Sequence, residues 1–150
     1  MTWVEGRAVT IDRPVDDVWN FMLDISNMPR WEDSGAEWKQ TSAGPIGVGT
    51  TFQSTVRLLG RKAMSGNLRV TAFERNRTFT VEVADGVGKG TKFSYVIEPV
   101  DARRTRLRRM TEVEFRGVAS LLRPFLSPIA RKASGIEANN VKRLLEGQTE

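Results

Sequence analysis

The spacing of apolar residues along this chain is helical at first, then alternating, then helical again. Val4 to Ile11 is a predicted first strand. Met28, Pro29 and Trp31 predict a short second helix that ends at Gly35. Between these two elements, a helix beginning at Pro14 is predicted by five apolar residues at helical spacing: Val15, Val18, Trp19, Met22 and Leu23.

From Ala36 to Arg116 apolar and polar residues alternate, which is typical of strands with one buried face. The glycine-rich segments AGPIGVG and DGVGKG, together with shorter polar breaks, divide this region into five or six strands. The predicted strands centre on Trp38, on 52–58, and on Ala63–Glu74, Thr78–Ala84, Lys92–Val100 and Thr105–Arg116. Successive strands joined by short turns predict an antiparallel meander.

The last part of the chain predicts a long helix from about Ser127 to Leu145, with Ser127 as N-cap and Pro128 as its first residue. Its expected stripe, at steps of three and four, is Ile129, Ala133, Ile136, Asn140 and Leu144. An antiparallel sheet needs a second layer on its apolar face. We therefore expect this helix to cross the concave face of the sheet and to bury Ile136 deeply.

The composition excludes several kinds of catalytic and metal-binding site. With 150 residues the chain is expected to form one domain, 1–150. It has no Cys and no His, so thiolate nucleophiles, imidazole bases and zinc–thiolate sites are excluded, and we expect neither a metal nor a cofactor. The start MTWVEGRAVTID lacks the apolar core of a secretion signal, and no apolar run is long enough to span a membrane. These features predict a cytoplasmic protein.

The net charge of +5 is uneven, because the last fifty residues carry 11 Lys and Arg against 6 Asp and Glu. Such an excess is usually a solvated face, although it can steer anionic partners. No aromatic residue is interleaved among the arginines at positions 103–109, so nucleic-acid binding is not expected. Weak contact with an anionic membrane surface stays open.

The order of elements resembles the START-like, helix-grip superfamily, which includes polyketide cyclases and dehydrases, lipid transport proteins and the plant Bet v 1 allergens. The likeness lies in VTIDRPVDDVWNFMLDISNMPRWED, GPIGVGTTF, DARRTRLRRMTEVEFRG and IEANNVKRLLEG. The resemblance implies an α+β fold in which a curved antiparallel sheet of six to seven strands wraps around the long C-terminal helix. It also implies a cavity between sheet and helix that holds an apolar or amphipathic small molecule.

Alternation in the last strand predicts that Arg109 faces inward beside Leu107 and Thr111. The opposite face carries Arg106, Arg108, Met110, Glu112, Glu114 and Arg116, and is expected to be in water. A buried guanidinium needs a partner. That partner is either an inward acid, such as Asp33 or Glu137, or the anionic group of a ligand.

The predicted site has an apolar wall and one polar end. Phe52, Phe79, Phe93, Trp38 and Ile136 form the expected wall, with Ser54, Tyr95 and Thr111 as scattered hydroxyls. Arg109, Tyr95 and Asn140 form the expected polar end. The alternative for the hydroxyls and for the Asn140 amide is that each satisfies a neighbouring backbone group.

Three functions compete at this stage. The first is binding of a lipid-like or polyketide-like molecule, and the second is a cyclase or dehydratase that works in the same pocket without a cofactor. Acid–base chemistry would fall to Glu32, Asp33, Glu137, Tyr95 or Arg109, but nothing in the sequence places two of them together. The third is an interaction module that uses the basic C-terminal third. The oligomeric state is not predictable from these patterns.

Overall fold

The computed structural model describes residues 2–5, 8–31, 37–58, 60–85, 89–113 and 123–147. At 2–5, 56–58, 61–65, 113, 123–131 and 133–134 it describes the backbone alone. None of the helices in these ranges is both long and apolar enough to cross a membrane.

Eight described strands form one antiparallel sheet. They are β1 (Thr2–Glu5), β2 (Val9–Ile11), β3 (Glu37–Gln40), β4 (Thr51–Leu58), β5 (Arg61–Glu74), β6 (Thr78–Val83), β7 (Lys92–Pro99) and β8 (Thr105–Val113). Across the sheet the order is β1, β8, β7, β6, β5, β4, β3, and β2 also pairs with β8. The predicted strand from Val4 to Ile11 is therefore two strands, which share one edge and give the sheet seven positions. The prediction of an antiparallel meander is confirmed.

The helices are α1 (Val15–Leu23), α2 (Met28–Trp31) and α3 (Arg123–Gly147), with a 3₁₀ turn at Ile25–Asn27. The carbonyl oxygen of Pro14 accepts the first hydrogen bonds of α1, from Asp17 and Val18. The predicted end of the second helix at Gly35 lies outside the described residues. The helix-grip architecture is confirmed, because α3 packs on β8, β2 and β1.

The predicted start of the last helix is wrong, because α3 begins at Arg123 rather than after Ser127. Pro124 is then the second helical residue. A proline is tolerated there because the first backbone N–H groups of a helix have no acceptor within it. Two prolines lie in the segment RPFLSPIA, and the first of them, not Pro128, marks the helix start.

The predicted burial of Ile136 is also wrong, since its exposed fraction is 38%. The buried face of α3 carries Glu137, Ala138, Val141 and Leu145 instead. This face is turned by about one residue, roughly 100°, from the predicted stripe. The predicted stripe followed steps of three and four along the chain, and the observed face has the same spacing but carries the Glu137 carboxylate against the sheet.

The outer face of β8 departs from expectation at one position. Arg106 is exposed and Arg108 is half-buried, but Glu112 is buried. The expectation that Glu112 faces water is therefore wrong. In the sheet register Glu112 pairs with Trp3 of β1 and with Lys92 of β7, so it lies on a strand that has a neighbouring strand on each side.

A bulge bends β5 where Gly66 pairs with Ser54 and the register then shifts. Gly66 has φ +145, and a Cβ at this position would lie 2.7 Å from the carbonyl oxygen of Asp85. The Asp85 carboxylate accepts hydrogen bonds from the Asn67 backbone and side chain, at 2.8 and 2.7 Å. These hydrogen bonds lower the pKa of Asp85. These hydrogen bonds thus join β5, next to its bulge, to the segment that follows β6.

The rotation of α3 predicts opposite outcomes for two aspartate substitutions. Val141→Asp should unfold the protein or make it aggregate, because Val141 is fully buried and the new carboxylate would lack a partner. Ile136→Asp should lower the free energy of unfolding by less than about 1 kcal/mol, because its side chain reaches solvent. Urea unfolding of both variants is the measurement. A soluble Val141→Asp variant with wild-type stability would contradict the observed rotation.

Candidate functional site

An apolar pocket lies between the sheet and the segment formed by α1, the 3₁₀ turn and α2. It measures about 300 Å³, with the open space at its mouth included. Every residue that lines it is apolar: Met22, Leu23, Ile25, Met28, Trp38, Ile46, Phe52, Val70, Phe73, Phe79 and Val81. The surface that faces this pocket is entirely apolar, so it offers contacts to a hydrocarbon or aromatic group but no hydrogen-bond partner.

The predicted apolar wall is partly the wall of this pocket. Trp38, Phe52 and Phe79 line it, and the Trp38 and Phe52 rings lie 5.5 Å apart. Phe93 is half-buried and packs against both clusters of the core without lining the pocket. Ile136 is exposed and is not a wall residue. Ser54 is buried on β4, between Trp38 of β3 and Gly66 of β5.

The pocket also has walls that the sequence analysis missed. They come from the end of α1 and from Ile25, Met28 and Ile46. Helical spacing had marked Met22 and Leu23 as inward residues, so part of the signal was present. Ile46 lies in the loop before β4, where no periodicity exists to show which way a side chain points.

Arg109 faces inward as predicted and forms an ion pair with Glu137 of α3. Both side chains are buried, with exposed fractions of 9% and 2%. The guanidinium also lies over the Phe93 ring, 4.8 Å from its centroid, which favours the cation. Of the two acids proposed as partners, Glu137 is the one found here, and Asp33 lies outside the described residues.

Tyr95 completes a buried group with this pair. It is the register partner of Arg109 on β7, and its hydroxyl donates to the Glu137 carboxylate at 3.5 Å. Three of the acid–base candidates are therefore together: Arg109 and Tyr95 of the expected polar end, and Glu137, one of the two acids expected to reach Arg109. The other two, Glu32 and Asp33, lie outside the described residues.

A pair of stacked rings separates the apolar pocket from this charged group. Phe79, which lines the pocket, stacks on Tyr95 with ring centroids 4.6 Å apart and an angle of 20°. The Trp31 ring also contacts Tyr95, edge-on, with ring centroids 5.6 Å apart. The polar group thus lies next to the pocket, one ring layer away from it.

Asn140 has a structural role in the described contacts. Its amide nitrogen donates to the Trp31 carbonyl oxygen at 3.2 Å, and its amide oxygen accepts from Arg143 at 3.3 Å. This is the alternative in which the amide satisfies a backbone group, here the end of α2. Asn140 therefore fixes α2 on α3.

The basic surface of the last third is largely solvated. Arg103, Arg104 and Arg106 are exposed, and Arg104 pairs with Asp101 at 2.8 Å. Hydrogen bonds from the Arg103 backbone and the Arg104 side chain lower the pKa of Asp101. Across the described ranges, no group of three or more acidic side chains lies close enough together to hold a metal ion.

Double substitution measures what the buried ion pair contributes. Arg109→Met should cost about 3 to 5 kcal/mol of unfolding free energy, because it leaves the Glu137 carboxylate buried without its cation. Adding Glu137→Gln should restore much of this loss, since the stranded charge is gone. Denaturant unfolding of the two single variants and the double variant gives the coupling energy. Additive losses would show that the two side chains do not stabilise each other.

Nearly the whole chain matches one known protein family. Residues 5–146 match the family described as polyketide cyclase / dehydrase and lipid transport. No match was found among the curated proteins.

Solved structures share the fold at low sequence identity. The Zhui aromatase/cyclase from Streptomyces sp. R1128 has a TM-score of 0.77 and 16% identity, over 99% of this chain and 96% of its own. A START superfamily protein from Mycobacterium smegmatis has a TM-score of 0.74 and 15% identity, over 98% and 99%. Because its match spans all but the ends of the sequence, the chain belongs to the polyketide cyclase / dehydrase and lipid transport family.

Proposed function

We propose that this protein binds an apolar or amphipathic small molecule, lipid-like or polyketide-like, in the pocket under α1. The observation that carries the proposal is the lining, in which every residue is apolar. The space enclosed between these side chains is about 20 Å³, room for about one water molecule, so a ligand would enter by moving the side chains apart. The family supports a ligand-binding fold of this type. The proposal treats residues 1–150 as one domain and places it in the cytoplasm, as expected from the sequence.

The buried polar group distinguishes one end of the pocket from the other. Phe79 lines the pocket and stacks on Tyr95, so these two rings lie between a ligand in the pocket and the polar group. Beyond Tyr95 lie Glu137 and Arg109. An amphipathic ligand would satisfy its polar atoms there by extending past the edges of the two rings, since the pocket itself offers no polar partner.

A second candidate function is a cyclase or dehydratase that needs no cofactor. It is favoured by the contact between the Tyr95 hydroxyl and the Glu137 carboxylate, since a phenol and a carboxylate in contact can exchange protons with a substrate. The Zhui aromatase/cyclase, which shares the fold, supports this reading by analogy only.

Here Tyr95→Phe should abolish turnover of a poly-β-ketone substrate while leaving the binding of an apolar probe intact.

A pocket-filling substitution tests the binding function. Val81→Phe adds a ring to the pocket wall and should weaken binding of the neutral fluorescent probe N-phenyl-1-naphthylamine about tenfold or more. Glu82→Phe is the matched control, because the next residue of β6 points to the other face of the sheet. It should change the dissociation constant less than about twofold. Fluorescence titration gives both constants, and circular dichroism shows that each variant is folded.

Two results would count against the proposal. One is equal probe affinity in the two variants, which would place the probe elsewhere. The other is a lack of probe binding by the wild-type protein. Mass spectrometry of an organic extract of the purified protein gives an independent check, in which a bound species should be recovered from wild type and depleted in Val81→Phe.

A further inference from the structure

Two buried polar atoms beside the charged group have no hydrogen-bond partner within the described part of the chain. They are the indole Nε1 of Trp31 and the hydroxyl Oγ1 of Thr111. The exposed fractions of the two residues are 0% and 3%. Buried polar groups are nearly always hydrogen-bonded, so each unfilled position needs an explanation.

The two atoms belong to residues that adjoin the Tyr95–Arg109–Glu137 group from different elements, Trp31 from α2 and Thr111 from β8. Trp31 packs edge-on against the Tyr95 ring at 5.6 Å. Thr111 is two residues beyond Arg109 on the same face of β8, and its register partner is Phe93, the ring under the guanidinium. We call the five residues Trp31, Tyr95, Arg109, Thr111 and Glu137 the polar compartment.

The polar compartment adjoins the apolar pocket through two shared walls. Met28 lines the pocket and lies three residues before Trp31, on the same side of the α2 turn. Phe79 also lines the pocket and stacks on Tyr95. Residues of the pocket wall are thus in contact with, or on the same turn as, residues of the compartment.

The charges of the compartment indicate which chemical group it accepts. Arg109 and Glu137 neutralise each other, so the compartment carries no net charge to hold an anion. An indole N–H is a donor only, and a threonine hydroxyl can also donate. We propose that the compartment binds an uncharged hydrogen-bond acceptor of the ligand, a ketone or ester carbonyl, with Trp31 and Thr111 as the donors.

This inference rests on the proposed function, and three naphthalenes of similar shape test it separately. 2-Acetylnaphthalene carries a neutral carbonyl, 2-ethylnaphthalene carries none, and 2-naphthoate carries a charge. The chain has four Trp, so a ¹⁵N-labelled sample gives few indole N–H signals, and Trp31→Phe identifies that of Trp31 by its loss. The ketone should shift this signal downfield, and the ethyl compound should not.

Two threonines of the same strand and face provide matched variants. Thr111→Val should weaken binding of 2-acetylnaphthalene about fivefold, the effect of one neutral hydrogen bond, and should spare 2-ethylnaphthalene. Thr105 is equally buried, but its hydroxyl donates to the Arg13 carbonyl oxygen at 2.8 Å. Thr105→Val should therefore leave both affinities unchanged within about twofold.

The unliganded protein gives a second readout. Thr111→Val should raise the Tm, because it removes an unsatisfied buried hydroxyl, whereas Thr105→Val should lower the Tm, because it leaves a carbonyl without its donor. A lower Tm for Thr111→Val would show that the hydroxyl already has a partner in the protein. That result would overturn the inference.

The binding outcomes separate this inference from the proposed function. If 2-ethylnaphthalene binds and the ketone has no advantage, the pocket function stands and the carbonyl site is wrong, with a buried water as its occupant. If 2-naphthoate binds more tightly than the ketone, Arg109 holds an anion and the inference is again overturned. If none of the three binds, the proposed function fails and this inference fails with it.

Discussion

The position of the long helix on the sheet depends on one buried ion pair. Arg109 projects from the centre of β8 into the concave face, where an unpaired guanidinium would cost several kcal/mol. Glu137 neutralises it from α3, and this contact requires the helix to present Glu137, Ala138 and Val141 rather than Ile136. The rotation of the helix thus follows from electrostatics on its inner face, and the exposure of Ile136 is the consequence.

The sheet could be predicted from the sequence far better than the helix that covers it. Period-two alternation places Tyr95 and Arg109 on the inner face, and the structure pairs them in register. The stripe of α3 failed because two faces of this helix are comparably apolar, and choosing between them requires knowledge of the partner. The pairing of Arg109 with Glu137, one of the two acids expected to reach it, supplies this information and orients the helix.

The candidate site shows the same division between local and long-range information. Trp38, Phe52 and Phe79 could be assigned to one wall because strand spacing determines their side. Ile25, Met28 and Ile46 come from segments too short or too irregular to carry a period, so only the folded chain shows their contribution. The contact between Tyr95 and Glu137 joins residues 42 positions apart, a separation over which no local pattern operates.

The curvature of the sheet also depends on a residue without a Cβ atom, Gly66. At Gly66 the chain of β5 passes so close to the Asp85 carbonyl that no side chain has room, and its φ of +145 is one that other residues rarely adopt. The bulge there separates the end of β5 nearest Arg61 from the end that carries Leu68 and Val70, two residues of the core beside the pocket. Gly66, which does not line the apolar pocket, is thus a geometric requirement for the shape of the sheet behind it, and the residues tolerated at position 66 would be limited by backbone geometry.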